Sequence, residues 1–360
     1  MAYTTIDDSS AHFQTLLYTG NGGSQTMTND GNSDLQPDFL WIKQRSGTEN
    51  HYLGNSSIAN KFLNSDRTDT ESTNISGKEL TYNSDGFAFA GSDSTWNGSS
   101  STYVAWQWKA NGGSTTTNDA SATGVGTIDS VYQANTTARF SIVTYSGSGS
   151  AGTIAHGLGV TPNWVIIKNR GSSARGWIVY HDKSHGTPEE NFTLLNTNAA
   201  VADLDRMNDT APTSTVFSVS DDTHVNNGSD TYVAYCFANV QGYSKFGSYT
   251  GTANANGPFV YTGFKPAWVL IRNTEDGEGW MLHDTTVDDA TATGNPVERR
   301  FQVNENQAEV GTTNAFDFVS NGFKVRTDTT SHNGSGHNII YMAFAEHPFV
   351  SSKGVPTTAR

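Results

Sequence analysis

Three stretches of this chain carry the same markers in the same order. FQTLLYTGNGG from Phe13, FSIVTYSGSGS from Phe140 and SKFGSYTGTAN from Ser244 each alternate like a short strand and end in Tyr-Thr/Ser-Gly. A proline follows each (Pro37, Pro162, Pro266) and opens an aromatic-rich apolar run: DFLWIKQR, NWVIIKNR and AWVLIRN. A later run closes each segment on a large aromatic, Trp108, Phe237 or Phe344, in TYVAWQW, TYVAYCF and IIYMAFA. An Asn-Gly precedes that run (Asn97-Gly98, Asn227-Gly228, Asn333-Gly334), and a phenylalanine precedes each asparagine (Phe87, Phe217, Phe323). Markers held in register this way describe one module of roughly 100 residues written three times, longer than a solenoid repeat.

The module reads as β structure. Aromatics at 11% supply cores, while 36 glycines and many small polar residues supply turns. No long stretch repeats apolar residues at helical spacing. The expected fold is all-β, three tandem β-sandwich modules of jelly-roll or lectin-like style, each with its own core. The proline marks a strand entry because it cannot donate to a ladder. The run after it reads as a central strand buried on both faces. Its closing cation, Lys43, Lys168 or Arg272, is expected where the strand surfaces, the stem covering apolar neighbours and the charge in water. Asn-Gly followed by a small residue reads as a hairpin turn.

These readings divide the chain into module one at 1–110, a Gly/Ser/Thr-rich linker at 111–126, module two at 127–239, module three at 240–349 and an extended tail at 350–360. The linker is expected to flex. The short join VQGYSK is expected to hold modules two and three close together, leaving module one free to take another angle. The segment from Thr127 reads as a lead-in strand.

The chemistry is sparse. With 35 acidic against 21 basic side chains, a net charge of −14, the surface does not suit phosphate, so no nucleic-acid partner is expected. Cys236 is the single cysteine, which excludes an internal disulfide. No apolar run approaches the ~18 residues of a membrane span, and MAYTTIDDSS lacks the basic and apolar parts of a secretory leader. Gly147-Ser-Gly149-Ser-Ala-Gly152 has the dinucleotide-binding spacing, but Gly157, Gly159 and Pro162 break the helix it needs, so no cofactor is expected. His181-Asp182 and His283-Asp284 lack a nucleophile turn, and neighbours on a strand face opposite ways, so no catalytic residue is assigned. The acidic loops at Asp66, Asp221-Asp222 and Asp288-Asp289 match no calcium loop and read as solvated, so no metal is assigned. Trp96, Trp177 and Trp280 are candidate glycan contacts by stacking, with core packing as the competing role. Pro348, Phe349 and Val350 are candidate assembly contacts.

Together, YTGNGG, QPDFLWIKQR, TYVAWQWKANGG, GPFVYTGFKPAWVLIRN and the closing YMAFAEHPFVSSKGVPTTAR resemble a repeat found in virion structural proteins of tailed bacteriophages, especially marine ones. The resemblance covers the chain from about Phe13 to Arg360; the first copy departs from it by lacking the W…HD segment. It implies β-sandwich modules without enzymatic activity. The expected role is a virion structural protein, a capsid decoration or knob or a short surface appendage. The alternative is a tail or tail-fibre protein recognising host surface glycans. Expected partners are other virion proteins and further copies of the chain, with no membrane insertion.

Overall fold

The computed structural model describes residues 4–74, 76–289, 295–311 and 314–346, and it is all-β. Three large antiparallel sheets each face a small one, a sandwich-type arrangement. The large sheets share a four-strand heart. In the first copy the spatial order is Phe13–Thr19, Thr102–Trp108, Phe39–Gln44, Tyr52–Asn55. In the second it is Phe140–Ser146, Thr231–Phe237, Trp164–Asn169, Ile178–His181, and in the third Ser244–Thr250, Asn338–Ala345, Pro266–Asn273, Met281–Asp284. The runs after the prolines are therefore interior strands, which is why their residues are almost all buried.

Strand alternation sends successive residues of these runs to opposite faces, and each face has its own core. Leu40 and Ile42 join the first copy's cluster with Phe87 and Phe89 of its small sheet. Val165 and Ile167 do the same with Phe217, and Val269 and Ile271 with Phe323. The opposite faces, Phe39 and Trp41, Trp164 and Ile166, Trp268 and Leu270, meet in one cluster drawn from all three copies. There Phe39 lies 4.3 Å from Tyr235 of the second copy, and Trp108 lies 5.6 Å from Trp268 of the third. Removing each such side chain from water contributes roughly 2–3 kcal/mol. Separate cores were the sequence expectation; each copy has one, but the largest core belongs to all three.

The linker is ordered. Thr116–Asn118 pairs with Ser130–Asn135, and Asp119 caps the turn Ala120–Thr123. Buried Asp38 accepts from the N–H groups of Ala110, Gly112 and Gly113, each at 2.8 Å. The lead-in strand is present as Ser130–Asn135, beside Phe140–Ser146.

The asparagines are buried staples rather than hairpin turns. Asn97 accepts from Asn21 N–H and donates to Gly23 O; Asn333 treats Thr252 and Asn254 alike. In the second copy the equivalent is Asn226, with Ser148 and Ser150, not Asn227.

Candidate functional site

Pairing registers place Lys43, Lys168 and Arg272 at one structural position, on the face that looks into the shared core. They do not surface. All three are buried, and each crosses to a loop of another copy. Lys43 Nζ donates to Asn306 O of the third copy at 3.2 Å, and to Gln44 O and Gly47 O. Lys168 Nζ donates to Thr68 O of the first copy at 3.3 Å and to Arg175 O at 2.8 Å. Arg272 Nη2 donates to Ala199 O of the second. Burial lowers the lysines to about 8 and Arg272 to about 10, because desolvation disfavours the charged form. Carbonyl oxygens surround the two lysine ammonium groups, while Arg272 Nε and Nη1 are buried without a hydrogen-bond partner.

Two residues further on, the backbone repeats the pattern. Glu309 N–H donates to Arg45 O, Glu71 N–H to Arg170 O and Val201 N–H to Thr274 O, at 3.0, 3.0 and 2.9 Å. Ion pairs reinforce two of these junctions: Arg45 to Glu309 at 2.5 Å and Arg170 to Glu71 at 2.7 Å. Copy one thus holds copy three, copy two holds copy one, and copy three holds copy two. The ring is closed.

The candidate tryptophans belong to this ring. Trp177 Nε1 donates to Asn64 O of the first copy at 2.9 Å, and Trp280 Nε1 to Leu194 O of the second at 2.8 Å. In the first copy His51 fills the same position and meets Gln302 O of the third at 3.3 Å. Trp96 packs among Tyr52, Phe62 and Phe89. None of the three tryptophans exceeds 2% exposure, so the glycan contact drawn for them from sequence is corrected to core packing. Pro348, Phe349 and Val350 lie outside the described residues.

The two His-Asp pairs are not equivalent. Register aligns His181 with Asp284 and with Asn55, and aligns His283 with Tyr180. Each member of the first set bonds the next copy: Asn55 Nδ2 to Tyr235 Oη, His181 Nε2 to Tyr341 O, and Asp284 Oδ2 from Thr15 Oγ1 and Trp106 Nε1. His181 Nδ1 accepts from Lys183 N–H, so its Nε2 carries the proton. Burial holds His181 down to about 4 and raises the Asp284 carboxyl despite these donors. His283 instead sits beneath the third copy's small sheet. Its Nδ1 meets Arg299 O, its Nε2 lies 3.0 Å from His332 Nε2, and burial lowers it to about 3. His181 and His283 are enclosed and neutral, and Asp284 is enclosed among its donors. Among the described residues, no three His, Cys, Asp or Glu side chains are placed to share a metal ion. Cys236 is buried, its thiol pushed up to about 12, which removes thiolate chemistry.

What reaches solvent differs between copies. A polar groove of about 910 Å³ at the junction of copies two and three is lined by Lys183, His185, Glu190, Asp203 and Glu275 among others. Phe259 and Tyr261, on the small-sheet strand Phe259–Tyr261, are 48% and 61% exposed. Through the pairing of Val260 with Phe323, Met27 with Phe87 and Ile154 with Phe217, their counterparts are Thr26 and Thr28 in the first copy, Thr153 and Ala155 in the second. The sequence signal was available: PFVYTG breaks the triplicate pattern with two aromatics the scaffold does not require.

Fold and site define a single-chain ring of three β-sandwich-type sheet pairs with a solid aromatic centre. The chain belongs to the DUF7483 family, a domain of unknown function, whose model matches residues 8–348. No curated protein matches the chain.

Proposed function

We propose that the protein is a non-enzymatic structural component of a tailed-phage virion surface, a capsid decoration or knob or a short surface appendage that contacts other virion proteins. One observation carries this reading. Six of the side chains that nucleophilic, acid–base or metal chemistry could draw on, His51, His181, His283, His332, Asp284 and Cys236, are buried, and most of them bond across or beneath the sheets. A ring held at three junctions by buried cations is a rigid body suited to repeated placement on a particle. The net charge of −14 suits a protein crowded on a surface, where self-repulsion opposes clumping. The repeat's resemblance to virion proteins supplies the location.

Gold-labelled antibody to the recombinant chain, applied to purified particles and to host lysate, tests the location. Label at regular positions on heads or tails is expected. Protein present in lysate but missing from purified particles would overturn the proposal.

A further inference from the structure

We infer that the outer face of the third copy's small sheet, centred on Phe259 and Tyr261, is a stacking platform for a neutral saccharide. Two residues apart on one strand, these side chains point to the same side about 7 Å apart, and the residue between them, Val260, is buried. Phe259 lies against the backbone of the neighbouring strand: its Cε2 is 3.2 Å from where a Cβ on Gly322 would stand. About half of the Phe259 side chain is left to solvent. Lys324 is directly across from Phe259, its Nζ donating to Gly257 O; Asp317, across from Lys324 on the next strand, pairs at 3.0 Å with Arg326, just past the end of Lys324's strand. Sugar rings offer apolar C–H faces edged by hydroxyls, which matches aromatic faces flanked by donors and acceptors.

Four further observations bear on this occupant. The aromatics are absent at the equivalent positions of the other copies, so the fold does not need them. In the second copy the corresponding strand edge is covered, Thr127 and Ile128 N–H groups donating to Thr153 O. In the third the chain passes from Val240 straight into Ser244–Thr250, with no such lead-in segment. Size decides between a small ligand and a protein. At these exposures the rings present roughly 200 Å², a fraction of the ~800 Å² per partner of a stable protein interface. A net charge of −14 repels an acidic glycan at range, which favours a neutral one.

This inference extends the surface reading by giving the particle a recognition face, but the two fail separately, because sugar binding is read on the isolated protein. The test is an array of neutral tetrasaccharides (α- and β-glucan, mannan, galactan, chitin) probed with the full chain, then titration calorimetry with the strongest binder. The rings are 48% and 61% exposed, so Phe259→Ala and Tyr261→Ala should fold as the parent does, checked by circular dichroism. Each is expected to weaken binding by about tenfold or more, Tyr261→Phe by less than about threefold, and Leu204→Ala, an exposed apolar residue elsewhere, not at all. Binding to no neutral tetramer, or binding that survives the double alanine variant, would overturn the inference. So would selection by the same face of strand-forming peptides in place of sugars.

Discussion

Glu71 meets Arg170 twice across the boundary between the first two copies: its carboxylate accepts the guanidinium Nε–H at 2.7 Å, and its N–H donates to the arginine carbonyl at 3.0 Å. Glu309 does the same for Arg45 between the third copy and the first. Both pairs are mostly shielded from solvent, with side-chain exposures of 8–15%, so screening weakens them less than an open pair. Removing one partner leaves the other charge without its counter-ion in a partly dry place. Glu71→Ala is expected to lower stability by about 1–3 kcal/mol in urea titrations. A loss under about 0.5 kcal/mol would mean the pair is decorative.

The buried lysines make a sharper case. Lys168→Met keeps the stem's volume but withdraws the donor from Thr68 O and Arg175 O, leaving two carbonyls in a dry junction. An expected loss of about 2–4 kcal/mol follows from the unmet hydrogen bonds. Relief of the lysine's desolvation works the other way. If relief won, the methionine variant would be the more stable protein, and the junction account would fail.

A shared core implies a shared unfolding. Residues 111–239 expressed alone would expose Trp164, Ile166, Tyr235 and Phe237, which the other copies cover in the intact chain. That fragment is expected to aggregate or to bind hydrophobic dye strongly, while the full chain melts in one transition. A dispersed, monomeric NMR spectrum from the fragment would refute this.

Acid should unfold the protein early. Burial lowers His156 and His181 to about 4 and His283 to about 3, and lowers His51 and His332 with the same sign. A depressed folded pKa means the unfolded chain takes up protons first. Stability is therefore full above pH 6.5 and is lost as pH falls toward the folded values. Between pH 7 and 5, His156, His181 and His283 each withdraw about 2 kcal/mol, a large share of a typical domain's ~5–15 kcal/mol. Burial raises the carboxyls of Asp66 and Asp284, which act with the opposite sign. Urea midpoints at pH 7, 6 and 5 should drop steeply, and His181→Gln should flatten the slope. A flat profile contradicts the neutral, enclosed histidines.

Tryptophan emission offers a quick check. All eight tryptophans are at most 3% exposed, so iodide should quench native emission hardly at all, and a sugar seated on Phe259 and Tyr261 should leave it unchanged. A saccharide-induced shift would return attention to Trp96.

The repeat, the all-β character and the interior placement of the runs after Pro37, Pro162 and Pro266 were legible in the sequence, because periodicity and proline position act locally. The destinations of Lys43, Lys168 and Arg272 were not: a cation at a strand end looks the same whether its tip meets water or another copy's carbonyls. The linker misled for a related reason, since its small polar residues are fixed by Asp38, some 75 positions away. Asn226 was passed over for Asn227 because the second copy carries one asparagine more, VNNGS against WNGS and HNGS, and composition alone does not choose between neighbours. Phe259 and Tyr261 were visible as letters, but attention to what repeats hid what does not.

The circular grip of copy upon copy has a consequence for how such a molecule can change. In an assembly of three identical chains, any surface substitution appears three times, and a defect at one contact is a defect at all. Linked head to tail, the copies are free to diverge singly. One can take on a different outer face while its siblings keep theirs, and the molecule then carries a direction that true threefold symmetry forbids.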